Sequence, residues 1–257
     1  MLQVQSLTIN IGSLNLADQL TFTLQPGQVT AILGPNGTGK STLLKALFGE
    51  MAIDSGEIQH QNTRLSHTKL SHWRRHFGYM PQDIHFDLSL SVIEVILLGR
   101  IDALSLRIDE GLLNEALSIL QQMGLEHLAN RDINQLSGGQ RQMVLFAQAL
   151  MRNPQIMMLD EPVSALDLHH QHLLLSHLKN QTRQRQYITL MVLHDLNLAA
   201  QYADQLLVLK QGQLIGHCAP ASLLSSELVE SVYGVKASVH YDQNQVPYVR
   251  TYGAQSA

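Results

Sequence analysis

The segment that decides the fold comprises residues 29–41, which read VTAILGPNGTGKS. Its first five residues form an apolar, strand-like run, and the remainder matches the phosphate-loop pattern G-x-x-x-x-G-K-[ST]. Leucines at helical spacing follow in residues 41–47, which supplies the expected strand–loop–helix context. The segment therefore predicts a site for the phosphates of a nucleoside triphosphate, formed by Gly34, Pro35, Asn36, Gly37, Thr38, Gly39, Lys40, Ser41 and Thr42.

The residue types of this loop indicate how it would hold an anion. Its glycines let the backbone curl so that successive N–H groups point at the phosphates. The helix that begins near Lys40 adds the positive end of its dipole. We expect Lys40 to supply a charge to the β- and γ-phosphate oxygens, and Ser41 to ligate Mg²⁺.

A second strand-like run, residues 156–159, ends in two acids, Asp160 and Glu161. A buried strand of a parallel sheet delivers the group at its carboxyl end to the edge where ligands bind. We therefore expect Asp160 to lie on the Mg²⁺ side of the site and Glu161 to polarise the attacking water.

Strand and helix patterns alternate along the chain. Strand patterns lie at residues 4–9, 20–24, 77–80, 187–193, 238–241 and 246–250, in addition to 29–33 and 156–159, and residues 55–57 read as a turn into a further strand. Helical patterns lie at residues 67–76, 88–150, 166–178, 221–224 and 227–233. This alternation predicts an α/β fold with a parallel sheet flanked by helices, and the long helical stretch predicts an inserted subdomain.

Composition restricts the classes of function. The 257 residues carry a net charge of −4, which disfavours a nucleic-acid partner. Cys218 is the single cysteine, which excludes an intrachain disulfide and fits a reducing compartment. Neither a secretory signal nor an apolar run of about 18 residues is visible, so we expect a soluble cytoplasmic protein that reaches a membrane through a partner.

Residues 136–140 read LSGGQ and add a specific resemblance. Together with the phosphate loop at 34–41 they form an ordered series of six motifs, the others lying at residues 79–82, 157–162, 164–167 and 193–195. In this order and spacing the chain closely resembles the ATP-binding cassette family over nearly its whole length.

That resemblance implies a phosphate-loop NTPase core with a mixed sheet flanked by helices, an N-terminal antiparallel β portion and an inserted α-helical subdomain. The RecA-like core with its β portion and tail would comprise residues 1–87 and 151–257, and the helical subdomain residues 88–150. Two copies would pack head to tail, with ATP between the phosphate loop of one copy and the LSGGQ motif of the other. The helix start at LSGGQ offers N–H groups that need such a phosphate.

The resemblance also assigns site residues. His194 would hold the γ-phosphate and orient the water beside Glu161, and Gln82 would contact Mg²⁺ or its water and link the site to the subdomain. The further residues implied at the nucleotide are Ser137, Gly138, Gly139, Gln140, Asp160 and Asp167.

Residues 92–100, 193–197 and 202–205 are similar to ATPases that serve bacterial uptake of iron–siderophore complexes, haem and cobalamin. The implied function is ATP hydrolysis at the cytoplasmic face of the inner membrane, with integral membrane permease subunits as partners, a substrate-binding protein as an indirect partner, and no nucleic acid. One alternative is a non-transport ATPase of the same family that acts on ribosomes or DNA complexes. Another is a metabolic phosphotransferase, which would not need residues 136–140.

The 13 histidines include a cluster at residues 169–172 and a pair, His72 and His76, at helical i,i+4 spacing. Two histidines without a third ligand rarely form a zinc site. We therefore interpret both sets as residues of solvent-facing helices.

The nucleobase pocket yields a prediction. Many family members stack adenine on an aromatic residue in a Tyr-Gly pair, whereas the matching pair here is Ile11-Gly12. Loss of the aromatic face removes about 0.5–1.5 kcal/mol of stacking, so we expect modest selectivity for adenine. Competition between ATP and GTP for binding measures it, and an ATP preference of roughly a hundredfold, about 2.7 kcal/mol, would contradict the prediction.

Overall fold

The computed structural model describes residues 1–82, 88–103 and 109–254. Its strands are β1 (Leu2–Ile11), β2 (Leu14–Leu24), β3 (Val29–Leu33), β4 (Ser55–His60), β5 (Thr63–Arg64), β6 (Phe77–Met80), β7 (Ile156–Asp160), β8 (Ile188–Val192), β9 (Gln205–Lys210), β10 (Gln213–Cys218), β11 (Val235–Tyr241) and β12 (Pro247–Ala254). Its α-helices are α1 (Lys40–Phe48), α2 (Leu70–Arg74), α3 (Val92–Leu97), α4 (Glu110–Gln122), α5 (Gly138–Met151), α6 (Leu168–Arg185), α7 (Leu196–Tyr202), α8 (Pro220–Leu223) and α9 (Ser226–Tyr233).

A six-stranded sheet of order β10-β9-β3-β8-β7-β6 forms the centre of the fold. Its strands run parallel except β10, which is antiparallel to β9. Every residue of β3, β7 and β8 is buried, as expected for parallel strands covered on both faces. Because successive side chains of a strand point to opposite faces, the sheet contributes residues to two hydrophobic cores, one on each face.

The first core joins the central sheet to a four-stranded antiparallel sheet of order β2-β1-β4-β5. Ile32 and Leu207 enter it from the central sheet, and Leu7 from the antiparallel sheet. Trp73 of α2 is fully buried there, and its indole N–H donates to the carbonyl of Leu47 at 2.9 Å. The predicted antiparallel β portion is thereby confirmed.

The second core lies on the opposite face, where Ala31 and Met157 of the sheet share one cluster with Ile96 of α3 and Phe146 of α5. Helices α3, α4 and α5 also pack against one another, and α5 contacts β6. The helical pattern predicted over residues 88–150 is therefore divided among three α-helices and short 3₁₀ turns. Its predicted boundary with the core, at residues 87 and 88, borders the segment 83–87, which lies outside the described residues.

The C-terminal hairpin β11–β12 packs on α7. The side chain of Asn197 on α7 makes both hydrogen bonds of a strand-like pair with Val249 of β12. Its amide nitrogen donates to the Val249 carbonyl at 3.3 Å, and its oxygen accepts from the Val249 N–H at 2.7 Å. The hairpin is thus fixed to the helix that follows His194.

Several elements differ from the sequence patterns. The patterns did not identify β5, β9, β10 or α7, although β9 lies beside β3 inside the central sheet. The helix predicted over residues 67–76 is shorter, because residues 65–67 form a 3₁₀ turn and α2 covers only Leu70–Arg74. Across residues 1–82, 88–103 and 109–254, no helix is long and apolar enough to cross a lipid bilayer.

A buried polar contact between α6 and β8 gives a stability prediction. Thr182 Oγ1 and Thr189 Oγ1 lie 2.6 Å apart, and both residues are fully buried. Thr182→Val leaves the Thr189 hydroxyl without this partner, so the free energy of unfolding should fall by about 1–3 kcal/mol. The double variant Thr182→Val/Thr189→Val should lose less than the single variants combined, since neither hydroxyl remains. Denaturant unfolding tests this, and strictly additive losses would show that the two hydroxyls do not interact.

Candidate active site

The candidate site lies at the carboxyl edge of the central sheet. Four adjacent parallel strands, β3, β8, β7 and β6, end there. They lead respectively into the phosphate loop, His194, Glu161 and Gln82. Parallel pairing therefore brings together residues that are far apart in the sequence, at the edge where open α/β sheets bind their ligands.

The phosphate loop requires glycine at two close approaches. At Gly34, φ is +150° and a Cβ atom would lie 2.3 Å from the Leu209 carbonyl oxygen. At Gly39, φ is +88° and a Cβ atom would lie 2.7 Å from the Leu16 carbonyl oxygen. Within the loop, Thr38 Oγ1 donates to the Pro35 carbonyl at 2.8 Å. The loop therefore packs closely between β9 and β2. Gly39, its last residue before α1, has a left-handed conformation that glycine adopts without strain.

Lys40 places its ammonium group inside this loop. Its Nζ donates to the carbonyls of Gly34 and Pro35, each at 2.8 Å, and the residue is 6% exposed. Burial lowers the pKa of Lys40, and the negative charges of Glu161 and Asp160 act in the opposite direction. The side chain is therefore a buried cation held next to two acids.

Asp160 and Ser41 form an oxygen-rich pair at the end of β7. Ser41 Oγ donates to Asp160 Oδ1 at 3.0 Å. Burial raises the pKa of Asp160, and the hydrogen bond from Ser41 opposes this shift. Hard oxygen donors of this kind suit Mg²⁺, so the residues present fit the ion predicted for the site.

Glu161 and His194 are in direct contact. The Nε2 atom of His194 lies 2.6 Å from Glu161 Oε1, so the ring nitrogen donates to the carboxylate. Glu161 has φ of +52°, a left-handed conformation that costs a non-glycine residue about 1–3 kcal/mol. His194 sits directly before α7, whose N-cap Asp195 accepts from the N–H groups of Asn197 and Leu198. The family resemblance implied that His194 acts beside Glu161, and the structure brings the two side chains together.

Most of these residues line one cavity of about 490 Å³, while Gly34, Pro35, Thr38 and Asp160 lie outside its lining. Its lining comprises Leu16, Asn36, Gly37, Gly39, Lys40, Ser41, Thr42, Gln82, Glu161 and His194. Leu16 was not identified from the sequence, which instead placed the nucleobase contact at Ile11. Ile11 is the last residue of β1 and is 46% exposed, while β2 turns back and carries Leu16 to the loop. The prediction of modest adenine selectivity rests on the lack of an aromatic side chain at this position. Ile11 and Leu16 are both aliphatic, so the prediction is the same for either residue.

The LSGGQ motif lies elsewhere, at the start of α5. Ser137 caps the helix, since its Oγ accepts from the Gln140 N–H at 3.2 Å and Gln140 Oε1 accepts from the Ser137 N–H at 3.1 Å. With Gly138 and Gly139, both residues line a second cavity of about 560 Å³. Asp167 lies on this cavity too and caps α6, accepting from the His170 N–H at 2.9 Å.

Within the described residues the two cavities share no lining residue. One chain therefore does not bring its LSGGQ motif to its own phosphate loop. The sequence-predicted site residues divide into two groups, with Asp167 in the same group as the motif.

Two of the histidines noted in the sequence, His172 and His76, form hydrogen bonds with neighbouring side chains. His172 Nδ1 lies 2.7 Å from the Tyr202 hydroxyl, and His76 Nδ1 lies 3.1 Å from Gln155 Oε1. These two are half-buried rather than solvent-facing, because each ties its helix or turn to a neighbouring element. In the described part of the chain, no group of three or more His, Cys, Asp or Glu residues is arranged to hold a metal ion.

Comparison with known proteins agrees with this geometry. Residues 17–164 match the family model described as ABC transporter. The hemin import ATP-binding protein HmuV of Escherichia coli O157:H7 is 37% identical over 248 residues, covering 94% of this chain and 95% of that protein. The ferric enterobactin transport ATP-binding protein FepC of Escherichia coli K12 is 35% identical over 243 residues, and the match covers 93% of this chain and 89% of FepC.

Solved structures of the same kind superimpose closely. One is a chain of an ABC transporter assigned to the metal-chelate type, in an inward-facing conformation. Its TM-score is 0.84 at 27% identity, and the match covers 99% of this chain and 98% of that chain. The dimeric ATP-binding cassette MJ0796 bound to ADP and Pi has a TM-score of 0.78 at 27% identity, covering 86% and 99%. Matched in its motifs, its full-length relatives and its fold, this chain belongs to the ABC transporter family.

Proposed function

We propose that this protein is the ATP-hydrolysing subunit of a bacterial importer that takes up an iron chelate, haem or cobalamin. The observation that carries the proposal is the contact between Glu161 and His194 beside the phosphate loop, with the LSGGQ motif on a separate surface. The first feature supports hydrolysis of ATP. The second supports a reaction cycle that depends on a second copy.

The polar groups at the carboxyl edge of the sheet have separate roles in this proposal. The loop N–H groups and Lys40 hold the β- and γ-phosphates. Ser41, Asp160 and Gln82 hold Mg²⁺, which neutralises phosphate charge when bound. Glu161 accepts a hydrogen bond from the attacking water, and His194 fixes the Glu161 carboxylate and contacts the γ-phosphate. Phosphoryl transfer to water needs placement and charge neutralisation more than covalent catalysis, and these residues supply both.

A head-to-tail dimer completes the site. Ser137, Gly138 and Gly139 present a hydroxyl and N–H groups at the start of α5, a 14-residue helix whose N-terminus favours an anion. In the proposed dimer they contact the γ-phosphate held by the partner's phosphate loop, and Asp167 lies at the same interface. That the similar cassette MJ0796 is dimeric with ADP and Pi bound supports the association of two copies.

The remaining parts of the proposal concern transport. We assign residues 88–150 to a subdomain that relays the nucleotide state, through Gln82, to integral permease subunits at the cytoplasmic face of the inner membrane. A substrate-binding protein acts indirectly, by delivering cargo to the permease. Support for the cargo class comes from the names of the relatives, ATP-binding proteins of hemin import and of ferric enterobactin transport.

Hydrolysis is tested with Glu161→Gln. The amide cannot accept the water proton as a carboxylate does, so turnover should fall by roughly 10²–10⁴-fold while ATP affinity stays within about threefold. Steady-state hydrolysis and equilibrium binding of ATP measure the two effects. The matched control is Glu227→Gln, an exposed position on α9, which should hydrolyse ATP at the wild-type rate. Robust hydrolysis by Glu161→Gln would remove Glu161 from this role.

The transport role is tested by purification from the native membrane and by uptake. We expect a membrane permease to co-purify with the chain, and a strain lacking the chain to lose uptake of an iron chelate, haem or cobalamin. The Glu161→Gln variant, returned to that strain, should not restore uptake, whereas Glu227→Gln should. Co-purification with ribosomes or DNA, together with unchanged uptake of all three cargo types, would contradict the proposal.

A further inference from the structure

Gln142 is a buried polar residue of α5, two positions beyond the LSGGQ motif and only 7% exposed. Burial of a carboxamide is unfavourable unless its donors and acceptor are paired. Gln142 meets this condition through contacts with a single segment of the chain, the turn that follows β7. That turn contains Glu161.

Three hydrogen bonds join Gln142 to this turn. Its Nε2 donates to the Glu161 carbonyl at 2.9 Å and to Ser164 Oγ at 3.2 Å, and its Oε1 accepts from the Ala165 N–H at 3.1 Å. The orientation of the carboxamide follows from its partners, because a carbonyl can only accept and a backbone N–H can only donate. The Gln142 side chain therefore bridges both ends of the turn at residues 161–165, and we call this set of three hydrogen bonds the clamp.

The clamp acts where the backbone of the site is strained. Glu161 has φ of +52° without being glycine, so surrounding contacts must hold it there. Three donors converge on its carbonyl: Gln142 Nε2, Ser164 Oγ at 3.1 Å and the Ser164 N–H at 3.3 Å. Because backbone conformation sets the direction of the side chain, the 2.6 Å contact between Glu161 and His194 depends on this support.

The same turn packs tightly on α5. A Cβ atom on Gly139 would lie 3.0 Å from the Ala165 carbonyl oxygen, so the start of α5 nearly touches this turn. From the other side, Gln171 of α6 donates to the carbonyls of Val163 at 3.3 Å and Leu166 at 3.0 Å. A displacement of the start of α5 would therefore move the backbone that carries Glu161.

We propose that Gln142 is a positioning residue for ATP hydrolysis, which holds the Glu161 backbone in its left-handed conformation and joins it rigidly to the LSGGQ helix of the same chain. The inference rests on the proposed function, and extends it. In the proposed dimer, the LSGGQ motif of one chain contacts ATP in the partner's loop, while Glu161 of that chain acts on ATP in its own loop. Gln142 thus links the filling of one ATP site to catalysis at the other.

The test uses Gln142→Glu and Gln142→Met. The first keeps the size of the side chain and its acceptor but puts an oxygen against the Glu161 carbonyl. The second keeps the length and removes the hydrogen bonds. The matched control is Gln148→Ala, on the same helix about 9 Å further along, where it should leave hydrolysis unchanged.

Both Gln142 variants should lose about 10- to 100-fold in kcat, because a shift of about 1 Å in a reacting group has an effect of this size. The KM for ATP and the Kd for ATP binding should stay within about threefold, since the phosphate loop is untouched. The Hill coefficient for ATP should fall towards 1 relative to the wild type. Rates are expressed per nucleotide-binding site, so that loss of folded protein does not count as loss of catalysis.

The outcomes separate this inference from the proposed function. A wild-type protein that binds ATP without hydrolysing it would overturn the proposed function itself. With an active wild type, variants that keep the wild-type kcat and Hill coefficient would overturn the role of Gln142. A loss of activity that only tracks the loss of nucleotide-binding sites would make Gln142 a stability residue, and would overturn the inference as well.

Discussion

The fold depends on the need to cover both faces of a short parallel sheet. Strands β3, β7 and β8 consist of buried residues, so neither face can remain in water. The antiparallel sheet and α1 cover one face, and α3 to α7 with the C-terminal hairpin contribute to covering the other. These three strands are left open at their carboxyl ends, and Lys40, Asp160, Glu161 and His194 all lie at or just beyond those ends.

Two buried charged residues, Lys40 and Asp160, dominate the electrostatics at the carboxyl edge of the sheet. Lys40 is buried between loop carbonyls and two acids, which holds its charge near the phosphate position at the cost of desolvation. Asp160 is buried as well, and it is stabilised by the Ser41 hydroxyl. These hydrogen bonds hold Lys40 and Asp160 in defined positions, which limits the reorganisation that the reaction requires.

The sequence predicted what local patterns encode, and missed what depends on tertiary contact. The phosphate loop, β3, β7 and the acids at the end of β7 were predictable from local patterns, because each motif sits at the end of an apolar run, whereas the pairing of Glu161 with His194 came from the family resemblance. Strand β9 was missed because its apolar residues, 206–209, follow a helix directly and lead into no motif, unlike the equally short run at 156–159. Leu16 at the cavity and Gln142 at the Glu161 carbonyl depend on chain crossings that no local pattern reports, and nothing in the sequence signals the positive φ of Glu161.

The order of strands in the central sheet has a consequence for how the chain folds. β3 is an early strand, yet its two neighbours are β8 and β9, with Val29 beside Thr189 and Thr30 beside Gln205. Contacts between such distant residues require closure of a long loop before they stabilise anything, which makes folding slow. During synthesis the strand that leads into the phosphate loop therefore waits without its sheet partners until most of the chain has emerged. Until then it is an apolar segment with unpaired edges, the kind of nascent chain that chaperones protect.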